Sequence, residues 1–222
     1  MKGIWWKILS ILLLLYVVVR GFTVEVPVTN IGETMRNVFF HVGMWFAMIA
    51  VFARSFSASI KVLGSGAITD DIDAGQSAAT GLFFGFLGII TGMIWATFTW
   101  GKPWATDPHL NGAAIGIIIY LAYFILRSSI DDDHKKARIS AVYNIFAFVL
   151  LIVLVGLLPR MSSDTLHPGS RDGNPAFGDM DSAMRYVFYP ALAGWILLGL
   201  WVAQLRVRIK KIEFEIENKE TD

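Results

Sequence analysis

Apolar residues along the chain fall into six blocks set off by short polar stretches, at residues 4–19, 38–53, 78–99, 110–126, 141–158 and 186–205. A helix needs about 20 apolar residues to cross a hydrocarbon core about 30 Å thick. The blocks therefore predict an all-α polytopic membrane protein with six transmembrane helices, residues 1–222 forming one domain. Trp5 and Trp6 stand where an interfacial aromatic belt would lie, and Lys7 can snorkel beside them. No small-residue cleavage site is evident around residues 18–22, so the first block is expected to be an uncleaved anchor rather than a signal peptide. Gly81, Gly85, Gly88 and Gly92 punctuate the third block and predict close approach of a neighbouring helix, a packing role.

Composition strengthens this picture. Of the 222 residues, 55% are hydrophobic and only 17% charged, with a mean hydropathy of +0.56; soluble domains spend about 25% on charge. Sixteen Phe, eight Trp and six Tyr exclude a disordered or collagen-like chain. A net charge of +1 supplies no basic field to gather nucleic acid. With no cysteine, disulfides, thiolate metal sites and covalent haem attachment to this chain are excluded, leaving His, Met and carboxylate as metal ligands.

Six crossings place both termini on one face. That face collects 13 of the 19 Lys and Arg residues. The other holds Arg20, Arg36, Lys102, Arg160, Arg171 and Arg185, so the termini are expected to be cytoplasmic. The charge run at 131–136 predicts a solvated cytoplasmic loop with His134 a bystander, and 206–222 a cytoplasmic tail, basic where it meets the lipid surface and acidic beyond.

This topology sends three of the four histidines to the outer face. His41 lies about one turn inside the second span, His109 opens the fourth, and His167 sits in the loop before the last. A histidine at the edge of the hydrocarbon needs a reason. Hydrogen bonding to a neighbouring helix is one; ligation of a metal or haem iron is another, with Met44, Trp45 and Met48 on a compatible helical face. His167 by itself reads as an exposed loop residue; paired with His41 it reads as a second ligand. Trp100 and Trp104, in the loop between spans three and four, fit either an interfacial belt or a stacking surface for a flat aromatic ligand. Asp107-Pro108 fits a helix start. Arg36, Lys102 and Arg171 are candidate cations for a ligand carboxylate.

The string Trp100-Gly101-x-x-Trp104-x-x-Asp107-x-x-Leu110 resembles the tryptophan-rich WWD motif of haem-handling membrane proteins, and the plan of the chain resembles the haem exporter protein C (CcmC) family of cytochrome c maturation. The likeness extends over nearly the whole chain: six spans, Arg36-x4-His41 opening the second, and Thr165-Leu166-His167 before the last. It departs from the family pattern at Thr106, which replaces a third tryptophan, at His109, which replaces an arginine, and at Asn111, which replaces a threonine.

The resemblance implies non-covalent haem b held on the periplasmic side of a bacterial inner membrane. His41 and His167 would be its axial ligands, Trp100, Gly101, Trp104 and Asp107 its platform, Arg36 a neighbour of a propionate, and His109 a further contact. It also implies delivery to a CcmE-like haem chaperone, CcmA-, CcmB- and CcmD-like partners, and no enzymatic step in this chain. The alternatives are a CcsA-like subunit of a cytochrome c synthase, for which six spans leave little room, and a non-haem transporter or cytochrome b subunit. A transporter would show polar mid-membrane breaks, and Asn144 and Gln204 lie near span ends.

Overall fold

Helix boundaries follow local signals that lie outside the apolar blocks. Asp107 accepts hydrogen bonds from the amides of His109 (2.8 Å) and Leu110 (3.4 Å) with Pro108 at the first helical position, and Asp132 accepts from Lys135 N at 2.6 Å. Gly66 and Gly101, at φ +68° and +72°, close two helices in the left-handed conformation that glycine adopts without steric cost. The computed structural model describes residues 3–26, 32–162, 165, 167 and 180–221. Its helices are α1 (Trp5–Thr23), α2 (Val38–Ser65), α3 (Ile68–Trp100), α4 (Pro108–Ser128), α5 (Asp133–Ile152), α6 (Leu158–Met161) and α7 (Ser182–Thr221). A 3-10 turn, Gly32–Asn37, leads into α2, and a π-helical turn, Val153–Leu157, joins α5 to α6. Among the described residues there is no strand.

Six helical segments are long and apolar enough to cross a membrane, as the sequence predicts. Their ends differ from the apolar blocks. At 28, 33 and 40 residues, α2, α3 and α7 measure about 42, 50 and 60 Å at 1.5 Å per residue, well beyond the hydrocarbon core. The charge run expected as a loop is instead the start of α5, because Asp132 caps it, and His134 is exposed there. The segment expected as a tail beyond residue 205 is helical through Thr221, a continuation of α7.

At the centre, α2 packs against α3, α5 and α7; α1 covers α7, and α4 leans on α5 and the π turn. Glycines set the α2–α3 spacing. A Cβ at Gly81 would come within 2.7 Å of Phe52, one at Gly85 would strike Ile117 and lie 3.0 Å from Met48, and one at Gly88 would lie 2.9 Å from Trp45. Small residues thus seat one face of α2 turn by turn. Polar groups also join the helices: Asn144 Nδ2 donates to Ser55 Oγ at 2.7 Å and to Ser59 Oγ at 2.8 Å, a buried interhelical link.

At the end where Gly66 separates α2 from α3, charges are paired. Arg127 bonds both oxygens of Asp71 (2.6 and 2.7 Å) and lies over Tyr123; Arg54 bonds both oxygens of Asp73 at 2.9 Å. The opposite end holds a cleft.

Candidate haem cleft

The cleft opens between α2, α3, the Gly101–Asp107 connection, α4 and the loop carrying His167. Its unfilled space, counting the part open to solvent, is about 800 Å³. His41, His109 and His167 all line it, together with Trp45, Trp95, Trp100 and Trp104. The remaining lining is mostly apolar, drawn from α3 and α4.

His41 is buried on the inner wall. Its Nδ1 lies 3.1 Å from Thr91 Oγ1, whose own hydroxyl donates to Leu87 O at 2.8 Å. The Thr91 hydroxyl also reaches Gly88 O at 3.1 Å; while its hydrogen stays on either carbonyl it accepts from Nδ1–H, the tautomer that leaves the lone pair on Nε2. Two indoles stand edge-on to the ring, Trp95 at 5.8 Å and Trp45 at 6.3 Å between centroids. A Cβ on Gly92 would come within 2.7 Å of His41 Cε1, so the last glycine of the α3 series makes room for this imidazole.

His167 reaches the same cleft from the loop. Its ring stacks on His109 at 4.4 Å with an interplanar angle of 19°, and meets Trp100 edge-on at 5.4 Å. Asp107, fully buried, ties this loop to α4. One oxygen caps the helix and lies 3.4 Å from His167 Nδ1, while the other accepts from Thr165 Oγ1 at 3.0 Å. Thr165 Oγ1 in turn accepts from the His167 amide at 3.2 Å. Burial pushes the His167 imidazole below its ordinary pKa, with the Asp107 carboxylate opposing that shift. The ring is therefore neutral at pH 7, the form that can offer a lone pair to a metal.

The expected site residues do not all share this position. Gly101 and Asp107 are absent from the lining: Gly101 ends α3 in the left-handed conformation, and Asp107 holds the two outer connections together. Arg36 is directed to the end of α1, where Nη1 donates to Gly21 O (2.8 Å) and Val24 O (2.7 Å) and Nε pairs with Glu33. Helix ends leave carbonyls without partners, and the guanidinium satisfies two of them. Lys102 is exposed, and Arg171 lies outside the described residues, as do Asp164, Leu166, Pro168 and Gly169. The sequence reading missed Thr91 and the place of Gly88 and Gly92 in the wall of the cleft. The available signal was the match between glycines at 81, 85, 88 and 92 and bulky residues at 52, 48, 45 and 41, which run in opposite directions along two antiparallel helices.

Comparison with known sequences agrees with the plan of the chain. The sequence model of the family described as "CcmC: Heme exporter protein C" matches residues 2–222. The chain belongs to that family. Among its relatives, Heme exporter protein C of Paracoccus denitrificans is 25% identical over 80% of this chain and 73% of its own length. The Rhodobacter capsulatus protein of the same description is 24% identical over 92% and 84%. A "Cytochrome c biogenesis protein CcsA" of Prochlorococcus marinus is 37% identical, but over 33% of this chain and 24% of its own length. The exporter-family likeness thus extends along the whole bundle, and the CcsA likeness covers a part.

Proposed function

We propose that this chain binds haem b non-covalently in the cleft as cargo and passes it to a haem chaperone during cytochrome c maturation. The coarser role, haem delivery in cytochrome c maturation by a multi-pass membrane protein, follows from membership of the Heme exporter protein C family. The observation that carries the finer reading is the meeting of three histidines from three segments in one apolar, indole-walled cleft.

The residues suit such a cargo. Imidazole nitrogens are ligands for haem iron, and indole faces and edges pack against a flat apolar ring. His41 and His167 are the proposed axial ligands, on opposite elements, with Nδ1 of each near an oxygen, Thr91 Oγ1 at 3.1 Å and Asp107 Oδ1 at 3.4 Å, and Nε2 the nitrogen proposed for ligation. Trp100 and Trp104 form the outer wall, His109 flanks His167, and Asp107 and Gly101 shape the loop rather than touch the cargo. Arg36 supports the site from behind, through the entry to α2. His41 is held by a span and His167 by a connection, and connections are the more mobile part of a fold. Release therefore begins at His167. The receiving partner is a CcmE-like chaperone, working beside CcmA-, CcmB- and CcmD-like subunits on the periplasmic side of a bacterial inner membrane. On this reading the chain transfers haem and catalyses no bond formation.

The reading is tested by absorption and resonance Raman spectra of purified protein reconstituted with haem. The wild type is expected to show a six-coordinate bis-imidazole spectrum that is lost in His41→Ala and in His167→Ala. A bis-imidazole spectrum persisting in both variants would overturn the assignment. Persistence in His167→Ala alone, with loss in a His109→Ala background, would move the second ligand to His109.

A further inference from the structure

Of the two proposed ligands, His167 is carried by a connection, and its backbone and its ring are held by different means. The backbone is fastened: the His167 amide donates to Thr165 Oγ1 at 3.2 Å, and that hydroxyl donates to the buried Asp107 at 3.0 Å. The ring lacks such a tie. Its Nδ1 is buried and, at 3.4 Å from Asp107 Oδ1, completes no hydrogen bond among the described residues. Rotation of a histidine ring about its Cβ–Cγ bond has only a broad preference. The plane of this imidazole is therefore set by what lies against its faces and edges.

Trp100 meets the ring edge-on at 5.4 Å, and His109 lies nearly parallel to it, with 4.4 Å between centroids and 19° between planes. An edge contact leaves the ring free to rock, whereas a parallel face at that distance opposes any turn out of the plane. His109 is also well supported. It is the second residue of α4, behind Pro108, and its amide donates to Asp107 Oδ1 at 2.8 Å. Helical side chains lean toward the N-terminus of their helix, which carries this ring back over the connection to meet the loop. One carboxylate thus keeps the two rings in register: Oδ1 holds the turn under His109, and Oδ2 holds the loop under His167.

A porphyrin fills the four equatorial positions of its iron and leaves one axial site on each face. With His41 on the inner wall filling one, two stacked imidazoles across the cleft can supply only one ligand to the other, and the second ring of the pair remains beside it. Resting on the reading of the cleft as a haem site with His41 and His167 as ligands, we propose that His109 is the positioning residue for His167: its ring fixes the plane of the axial imidazole without bonding to the iron. A planar ring at position 109 is then sufficient for this role, and a flexible polar side chain is not.

The test pairs His109→Phe, which keeps a planar ring and removes both nitrogens, with His109→Gln, which keeps a polar side chain and removes the ring. In the full-length protein reconstituted with haem in lipid nanodiscs, the largest g value of the ferric low-spin EPR spectrum reads the angle between the two axial imidazole planes. All three proteins are expected to be six-coordinate with two imidazoles. The wild-type g value is expected to persist in His109→Phe and to be displaced in His109→Gln, where haem passes to apomyoglobin about two- to ten-fold faster, the range that one aromatic pair is worth. In haem-free protein with labelled histidines, NMR is expected to show the His167 ring signals displaced by ring current in wild type and His109→Phe but not in His109→Gln. Equal g values, release rates and ring signals in all three proteins would overturn the positioning role and leave the ligands as assigned. So would a glutamine variant that matches wild type where the phenylalanine variant does not. Loss of the bis-imidazole spectrum in both variants would make His109 the ligand and overturn the proposal. A wild type without that spectrum would overturn the reading of the cleft and the proposal with it.

Discussion

The two ends of this bundle handle their buried and half-buried polar groups in opposite ways. At one end Arg127 is locked bidentately to Asp71, and Arg54 to Asp73, so that strong donors and acceptors satisfy each other. At the other, among the described residues, His41 Nδ1 faces the Thr91 hydroxyl and His167 Nδ1 lies 3.4 Å from Asp107, a carboxylate already spent on the α4 cap and on Thr165. Pairing of the first kind clamps α4 and α2 to α3. On the proposed reading, placement of the second kind orients a ring and leaves its other nitrogen for a ligand. On that reading one end governs whether the helices stay together, the other what they hold.

This contrast is sharpened by substitutions whose effects on stability and on haem spectra separate. The largest is expected at the paired end. Arg127→Ala leaves the Asp71 carboxylate buried without its partner, and loss of one member of a buried pair costs about 3–5 kcal/mol. Denaturant titration in detergent should show that loss, while the haem spectrum of the surviving folded fraction stays that of wild type. A spectrum altered in proportion would mean that the two ends are not independent.

Next comes Asp107→Ala, which removes a helix cap and leaves Thr165 without its acceptor, a loss of about 2 kcal/mol. Unlike the arginine variant, it should also perturb the spectrum, because His167 loses its anchor. Asp107→Asn, which retains the cap, should recover most of the stability but not the wild-type spectrum.

A smaller effect is expected at Thr91→Val, of about 1 kcal/mol, through loss of the acceptor for His41 Nδ1. Haem affinity should fall, by less than in His41→Ala; unchanged affinity in equilibrium titration would show that the hydroxyl does not orient the ring. Smallest of all, Lys136→Ala breaks an exposed pair with Asp133 and should change stability by less than about 0.5 kcal/mol. A larger loss there would undercut the view that burial, rather than pairing as such, makes the far end strong.

Legibility from sequence differed between features for physical reasons. The spans were plain because lipid demands long apolar runs whatever their neighbours. Their ends were not: α2, α3 and α7 continue into polar residues, where helix is maintained by caps and by contacts with other helices rather than by hydropathy. Topology alone brought His41 and His167 to the same side, but it could not say that His109 would stack on His167, since that depends on how a loop folds over the start of α4. Arg36 was read as a cation for a ligand, which its charge and side allowed. In the structure the carbonyls of Gly21 and Val24, on the preceding helix, take the guanidinium. The glycine series was read correctly as packing, yet its link to the cleft required the register of α2 on α3, which places Gly92 against His41.

By itself, the sequence determined that the chain is a six-span helical membrane protein without thiol chemistry, because hydropathy and residue type act locally and do not depend on who packs where. Only the tertiary structure decided which polar groups are spent on one another and which remain for a ligand. A buried donor or acceptor is committed by the nearest partner in space, and for Arg36, Asp107 and His41 that partner lies on a different segment of the chain.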